Sequence, residues 1–141
     1  MKNFLFTSLL FVAVICNASA QDAWKNHSRT AELEINYRYE ECHDVVNGTH
    51  KSIVMLQFVN LTNKQLSVSY NKHAWYNDIC KGCENTPESR MGIRLAPNET
   101  KTGSCDDKQT RALSIFDKML DVKANTLQKF ELANIQITTV Q

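Results

Sequence analysis

Apart from a cysteine near the N-terminus, the residues whose types could do chemistry are Cys42, Cys80, Cys83 and Cys105, four histidines, and a few clustered acids. Cys80-Lys81-Gly82-Cys83 follows directly on an aromatic segment, His73-Ala74-Trp75-Tyr76. Two cysteines three positions apart serve as a structural disulfide, as a redox dithiol, or as half of a zinc site. Zinc needs four convergent ligands, and Cys42 and Cys105 stand far from the pair on either side. His27, His43, His50 and His73 place no two at ligand spacing on one expected face, so each is read as a surface or rim histidine. Asp106-Asp107, with Asp117 and Asp121 nearby, match no calcium-loop spacing and read as solvated loop acids. A nucleophile elbow, an HExxH helix and a suggestive Ser/His/Asp order are all missing. Hence no catalytic residue, no metal ligand and no cofactor is expected.

The redox reading resembles a thioredoxin-type dithiol, in which the first cysteine opens a helix whose dipole lowers its pKa. Glu84-Asn85-Thr86-Pro87 follows here instead, and it starts no helix pattern. An even number of cysteines in an exported domain reads as two disulfides with three possible pairings. A Cys80–Cys83 bond closes a very small loop, so the expectation leans toward Cys42 and Cys105 each taking one of the two. By its place in the alternation, Cys42 lies on the outer face of its strand, and its bond would tie a loop to the sheet's outer face or edge. Trp75 and Tyr76, with Trp24, are the aromatic candidates for a binding surface, against the alternative that they pack in the core or over its rim.

The compartment follows from the first residues. Lys2 precedes an apolar run over residues 4–15, and Ala18-Ser19-Ala20 is a small-x-small cleavage pattern before Gln21, so residues 1–20 read as a secretory signal peptide. The run is too short to span a bilayer, which takes about 20 apolar residues. Ile15 before Cys16 is too bulky for a lipoprotein cleavage site. The expected location is secreted or periplasmic. Lys and Arg total 16 against 15 Asp and Glu, without a basic block, which removes the footprint that nucleic-acid binding needs.

What must position these residues is a set of strands. Residues 21–30 read as a polar leader or short edge segment. Ala31, Leu33, Ile35, Tyr37 and Tyr39 alternate with polar residues as a half-buried strand. Asn47-Gly48 predicts a type I′ turn. The hairpin of 31–46 with 49–61 would then set Tyr39 opposite Leu56, Tyr37 opposite Phe58 and Cys42 opposite Ile53. Leu66, Val68 and Tyr70 mark a third strand, 77–89 a loop, 90–96 a short strand, and 111–118 a strand in preference to a helix. Over residues 127–140 the apolar phase changes after Leu132, which predicts a bulge. About seven short strands over residues 31–141 predict one all-β domain, an antiparallel immunoglobulin-like β-sandwich stapled by disulfides. The immunoglobulin cysteine–tryptophan–tyrosine signature is lacking, so the likeness is to the architecture alone. Asn26, Asn47, Asn60 and Asn98 each begin an N-glycosylation sequon.

Asn60-Leu-Thr-Asn, Trp75-Tyr76-Asn77, the paired cysteines, Leu95-Ala-Pro-Asn98 and Gly103-Ser-Cys105 together resemble small uncharacterised exported β-sandwich proteins of Bacteroidota. That resemblance implies no activity. The functional expectation is an exported, non-catalytic domain that binds a protein or glycan or serves as an envelope accessory. The alternatives are a thiol-disulfide oxidoreductase using Cys80 and Cys83, and a metal-binding envelope protein.

Overall fold

The structure, a computed structural model, describes residues 23–106 and 111–140. Its strands are β1 (Lys25–Arg29), β2 (Leu33–Asp44), β3 (Thr49–Asn60), β4 (Gln65–Tyr76), β5 (Ile79–Lys81), β6 (Arg90–Leu95), β7 (Thr100–Thr102), β8 (Ser114–Met119) and β9 (Leu127–Val140). Single 3-10 turns at Pro87–Ser89 and Arg111–Leu113 precede β6 and β8, and no α-helix occurs among the described residues. All strand pairs are antiparallel and fall into two sheets. In one sheet, β1, β2 and β3 lie side by side, and the far edge of β3 is shared by β7 at one end and β8 at the other. In the second, β9 runs along one edge of β4, while β6 and β5 share the opposite edge.

The core lies where the inner faces meet. Leu33 and Ile35 of β2 and Val54, Leu56 and Phe58 of β3 pack against Leu66, Val68 and Tyr70 of β4. Phe58 stacks on Tyr70 across the sheets at 5.2 Å. Each such side chain, fully buried, contributes about 1.5–3 kcal/mol. The Tyr70 hydroxyl donates to the carbonyl of Ala112, which fixes the turn before β8 over the core.

Several expectations are corrected. The β2–β3 register sets Tyr37 opposite Leu56, Tyr39 opposite Val54 and Cys42 opposite Lys51, two residues away from the predicted pairing. The Asp44 carboxylate accepts the Asn47 backbone N–H at 3.1 Å and its side-chain amide at 2.6 Å. These bonds hold a four-residue turn over 45–48 in which Gly48, at φ +61°, is left-handed and Asn47 is not. A shift of two leaves every side chain on its expected face. Of the two alternatives for residues 21–30, the edge strand forms over Lys25–Arg29, and Trp24 packs beside Cys42, Ile53 and Met55 on the outer face. Arg38 lies 4.8 Å from the Trp24 ring centre.

Residues 77–89 are more than a loop. Asn77 (φ +49°) and Asp78 (φ +62°) make the two-residue left-handed turn expected at Asn47-Gly48, and β5 returns along β4 from it. The predicted bulge in the last strand is present: three residues of β4, Ser69 to Asn71, face four of β9, Gln136 to Ala133, and Asn134 takes φ +53°.

Candidate functional site

The aromatic segment and the paired cysteines form the two arms of one hairpin. Cys80 sits in β5 opposite Trp75. Gly82 follows at φ +86°, and any Cβ there would meet the Lys72 carbonyl at 2.2 Å. Reversal at this glycine brings Cys83 back to bond Cys80, with Cα atoms 5.8 Å apart. The other disulfide joins Cys42 to Cys105, Cα atoms 5.5 Å apart. The mixed pairing preferred from the sequence is therefore replaced: Gly82 supplies the local turn, and the segment after β7 crosses the outer face of β2. As expected of a bond from Cys42, it ties a loop to that outer face.

Trp75 and Tyr76 point to opposite faces of the second sheet. Trp75 is half-buried on the outside, with the Lys129 ammonium 4.1 Å from its ring centre and His73 edge-on at 6.0 Å. Tyr76 faces inward, and its hydroxyl donates to the Phe116 carbonyl. Burial, reinforced by the charge of Asp117, pushes the Tyr76 hydroxyl up to about 12. Asp117 is itself buried and raises Tyr39 as well, behind the larger effect of burial.

The inner side of Tyr76 opens into a cleft of about 530 Å³ at the sandwich edge, where β8 faces β5 and β6. Lys51, Lys72, Lys81 and Arg111 line it, with Glu88 as the one carboxylate among the lining residues. Ala74, Met91 and Ile115 contribute to an apolar wall. Lys72 stands at the break between β6, which pairs with β4 as far as Asn71, and β5, which pairs from Ala74. Its ammonium donates to the carbonyls of Arg111 at 2.5 Å and Ser114 at 2.8 Å. Burial, with the Arg111 charge adding to it, lowers Lys72 to about 8.

A second cluster lies at the turn end of the β2–β3 hairpin. His43 and His50, expected as separate rim histidines, are directly opposed across the strands. Their Nδ1 atoms are 2.9 Å apart, and the Glu41 carboxylate lies 3.7 Å from His43 Nε2. The expected register would have faced His43 with Ser52. The signal for the true pairing was Asp44, three residues before Asn47 and able to cap a four-residue turn. His73 instead bonds the Asn85 side chain at 2.8 Å, and His27 stacks on Phe130 at 5.8 Å. Asp106 ends the first described segment and, with Cys42, His43 and Cys105, lines a shallow groove beside the 45–48 turn, while Asp107 lies outside the described residues. Among the described residues, no three His, Cys, Asp or Glu side chains converge as a metal site.

Fold and bonds define a class: an all-β protein of two antiparallel sheets with two disulfides, and without, among the described residues, a helix long and apolar enough to cross a membrane. Protein-family models, curated proteins and solved structures contain no match to this chain.

Proposed function

We propose that this is an exported, non-catalytic binding protein, and that the edge cleft takes an anionic group carried on an apolar body. That group belongs to a small acid or to the acidic part of a protein or glycan partner. The observation that carries the reading is the charge of the cleft: four cations and one carboxylate line it, while the whole chain has a formal charge of only +1. Cations over an apolar, partly desolvated wall attract an anion more strongly than the same cations in open water. Export is supported by the leader over residues 1–20 and by two disulfides, which persist in oxidising compartments and so favour a periplasmic or secreted location. Calorimetric titration with decanoate and with decanol tests the reading. Decanoate should bind at least about tenfold more tightly than decanol, and the Lys81→Glu/Arg111→Glu variant should lose that preference. Equal affinity for the acid and the alcohol, no binding of decanoate, or an unchanged preference in the variant would refute it.

One observation favours the second reading, a thiol-disulfide oxidoreductase: Cys80 and Cys83 are bonded to each other. Against it, β5 and a glycine turn stand where such enzymes start a helix. Turnover in an insulin-reduction assay that Cys80→Ser abolishes would establish this reading over the first.

A further inference from the structure

We infer that His43 and His50 form a chelating site for a divalent transition metal, with Cu(II) the preferred ion. The inference does not rest on the edge cleft, whose lining includes Lys51, the residue after His50, but neither histidine. The two Nδ1 atoms, 2.9 Å apart, share a single proton in the neutral pair, because two N–H groups cannot point at each other. When that proton moves to Nε2 of its own ring, both rings stay neutral and both Nδ1 lone pairs are free for one metal ion, with no net loss of a proton.

The separation suits chelation by one ion. Imidazole nitrogens bind such ions at about 2.0–2.1 Å, so two of them in adjacent square-planar or octahedral positions, about 90° apart, lie about 2.9 Å from each other. Tetrahedral positions would set them about 3.3 Å apart. The pair, held at 2.9 Å by its hydrogen bond, lies within about 0.4 Å of both spacings, and the preference for copper rests on its lead in the general affinity order for nitrogen ligands.

The surroundings fit the role. His43 is exposed and His50 half-buried, so water can complete the coordination sphere. Glu41 stands on the Nε2 side of His43, where a carboxylate orients a ligating imidazole through its other nitrogen. The backbone beneath the pair is held on both sides: the Asp44 turn lies beyond it, and the Cys42–Cys105 bond is attached next to His43. Little conformational entropy is left to lose on chelation. Asp44 is committed to Asn47 and is not counted as a ligand.

The test uses untagged protein with both disulfides intact, titrated calorimetrically at neutral pH with the chlorides of Cu(II), Ni(II) and Zn(II). One Cu(II) per chain should bind, more tightly than Ni(II) or Zn(II), and its electron paramagnetic resonance spectrum should show splitting from two imidazole nitrogens. His43→Ala and His50→Ala should each weaken binding by about tenfold or more, and Glu41→Gln by less, while His27→Ala and His73→Ala should leave it unchanged. Copper should raise the Tm of the parent and leave that of His43→Ala/His50→Ala unmoved, a comparison read only after circular dichroism shows that the variant is folded. The inference is overturned if Cu(II) does not bind stoichiometrically, if the folded double variant binds it as tightly as the parent, or if Zn(II) is preferred.

Discussion

Lys72 makes the stability of this protein depend on pH in an unusual direction. Its ordinary value of 10.5 falls to about 8 in the fold, chiefly through burial. The unfolded chain therefore binds more protons than the native one at alkaline pH, and stability rises with pH across the interval from about 8 to about 10.5. Linkage with these two values gives a gain of about 2 kcal/mol between about pH 7 and about pH 9.5. Tyr39, Tyr70 and Tyr76 act in the opposite sense at higher pH. Their folded values are raised, so their contribution is complete below about 10 and is lost as the pH climbs further. Stability should therefore peak near about pH 10. Lys72→Met isolates the lysine: losing its bonds to the Arg111 and Ser114 carbonyls shifts stability by an amount independent of pH, whereas the rise toward alkaline pH should vanish. Urea denaturation of parent and variant at several pH values measures the difference directly. A parent-minus-variant difference that stays constant from pH 7 to 9.5, within about 0.5 kcal/mol, would refute this account of the buried ammonium.

Asn60→Ala should be costly for a sequon residue. Asn60 is buried, donates to the Lys64 carbonyl at 2.7 Å and the Ala96 carbonyl at 2.8 Å, and accepts from the Thr62 N–H and hydroxyl at 2.9 Å each. A loss of about 3–4 kcal/mol is expected, measured by urea denaturation against exposed Asn98→Ala at about 1 kcal/mol, the cost of alanine at φ +57°; similar costs would contradict the assignment. The disulfides should differ in the same assay. Cys42→Ser/Cys105→Ser, opening a separation of 63 residues, should cost about 4 kcal/mol and Cys80→Ser/Cys83→Ser, at a separation of 3, about 2 kcal/mol or less. The reverse order would show that the small bond supports the sheet more than chain entropy allows.

What the sequence makes legible is what depends on alternation. Leu33 and Ile35 against Leu56 and Phe58, the bulge after Leu132, and the short strand ending before Pro97 all follow from side-chain period. What it hides depends on competition between local bonds. Asn47-Gly48 has the residues for a type I′ turn, yet an Asp44 cap wins there, and the type I′ conformation goes to Asn77-Asp78. Gln128 exchanges hydrogen bonds with Asp78 there, and Asn125 accepts one from Asn77. Partners 48 to 50 residues away cannot be read from a dipeptide. The same competition hid the metal-chelating candidate, because a register two residues off separates His43 from His50. Strands such as β5 and β7 have three residues each, too few to show a period, and exist through the edges they pair with.

Those short strands explain why the sandwich has a cleft at its side. Each central strand carries two partners on one edge with a break between them, and a glycine occupies each break. Gly103 donates to the Leu56 carbonyl between β7 and β8, and Gly82 approaches the Lys72 carbonyl between β5 and β6. A continuous edge strand along β4 would cover Lys72 and leave its ammonium without access to an anion. The Cys80-Lys81-Gly82-Cys83 stretch thus has a positional role that needs no redox chemistry: the glycine permits the close approach, the bond fixes the turn, and Lys81 is carried to the rim. On the binding reading, Gly82→Ala should therefore damage anion binding through the backbone, without touching any cation that makes the contact.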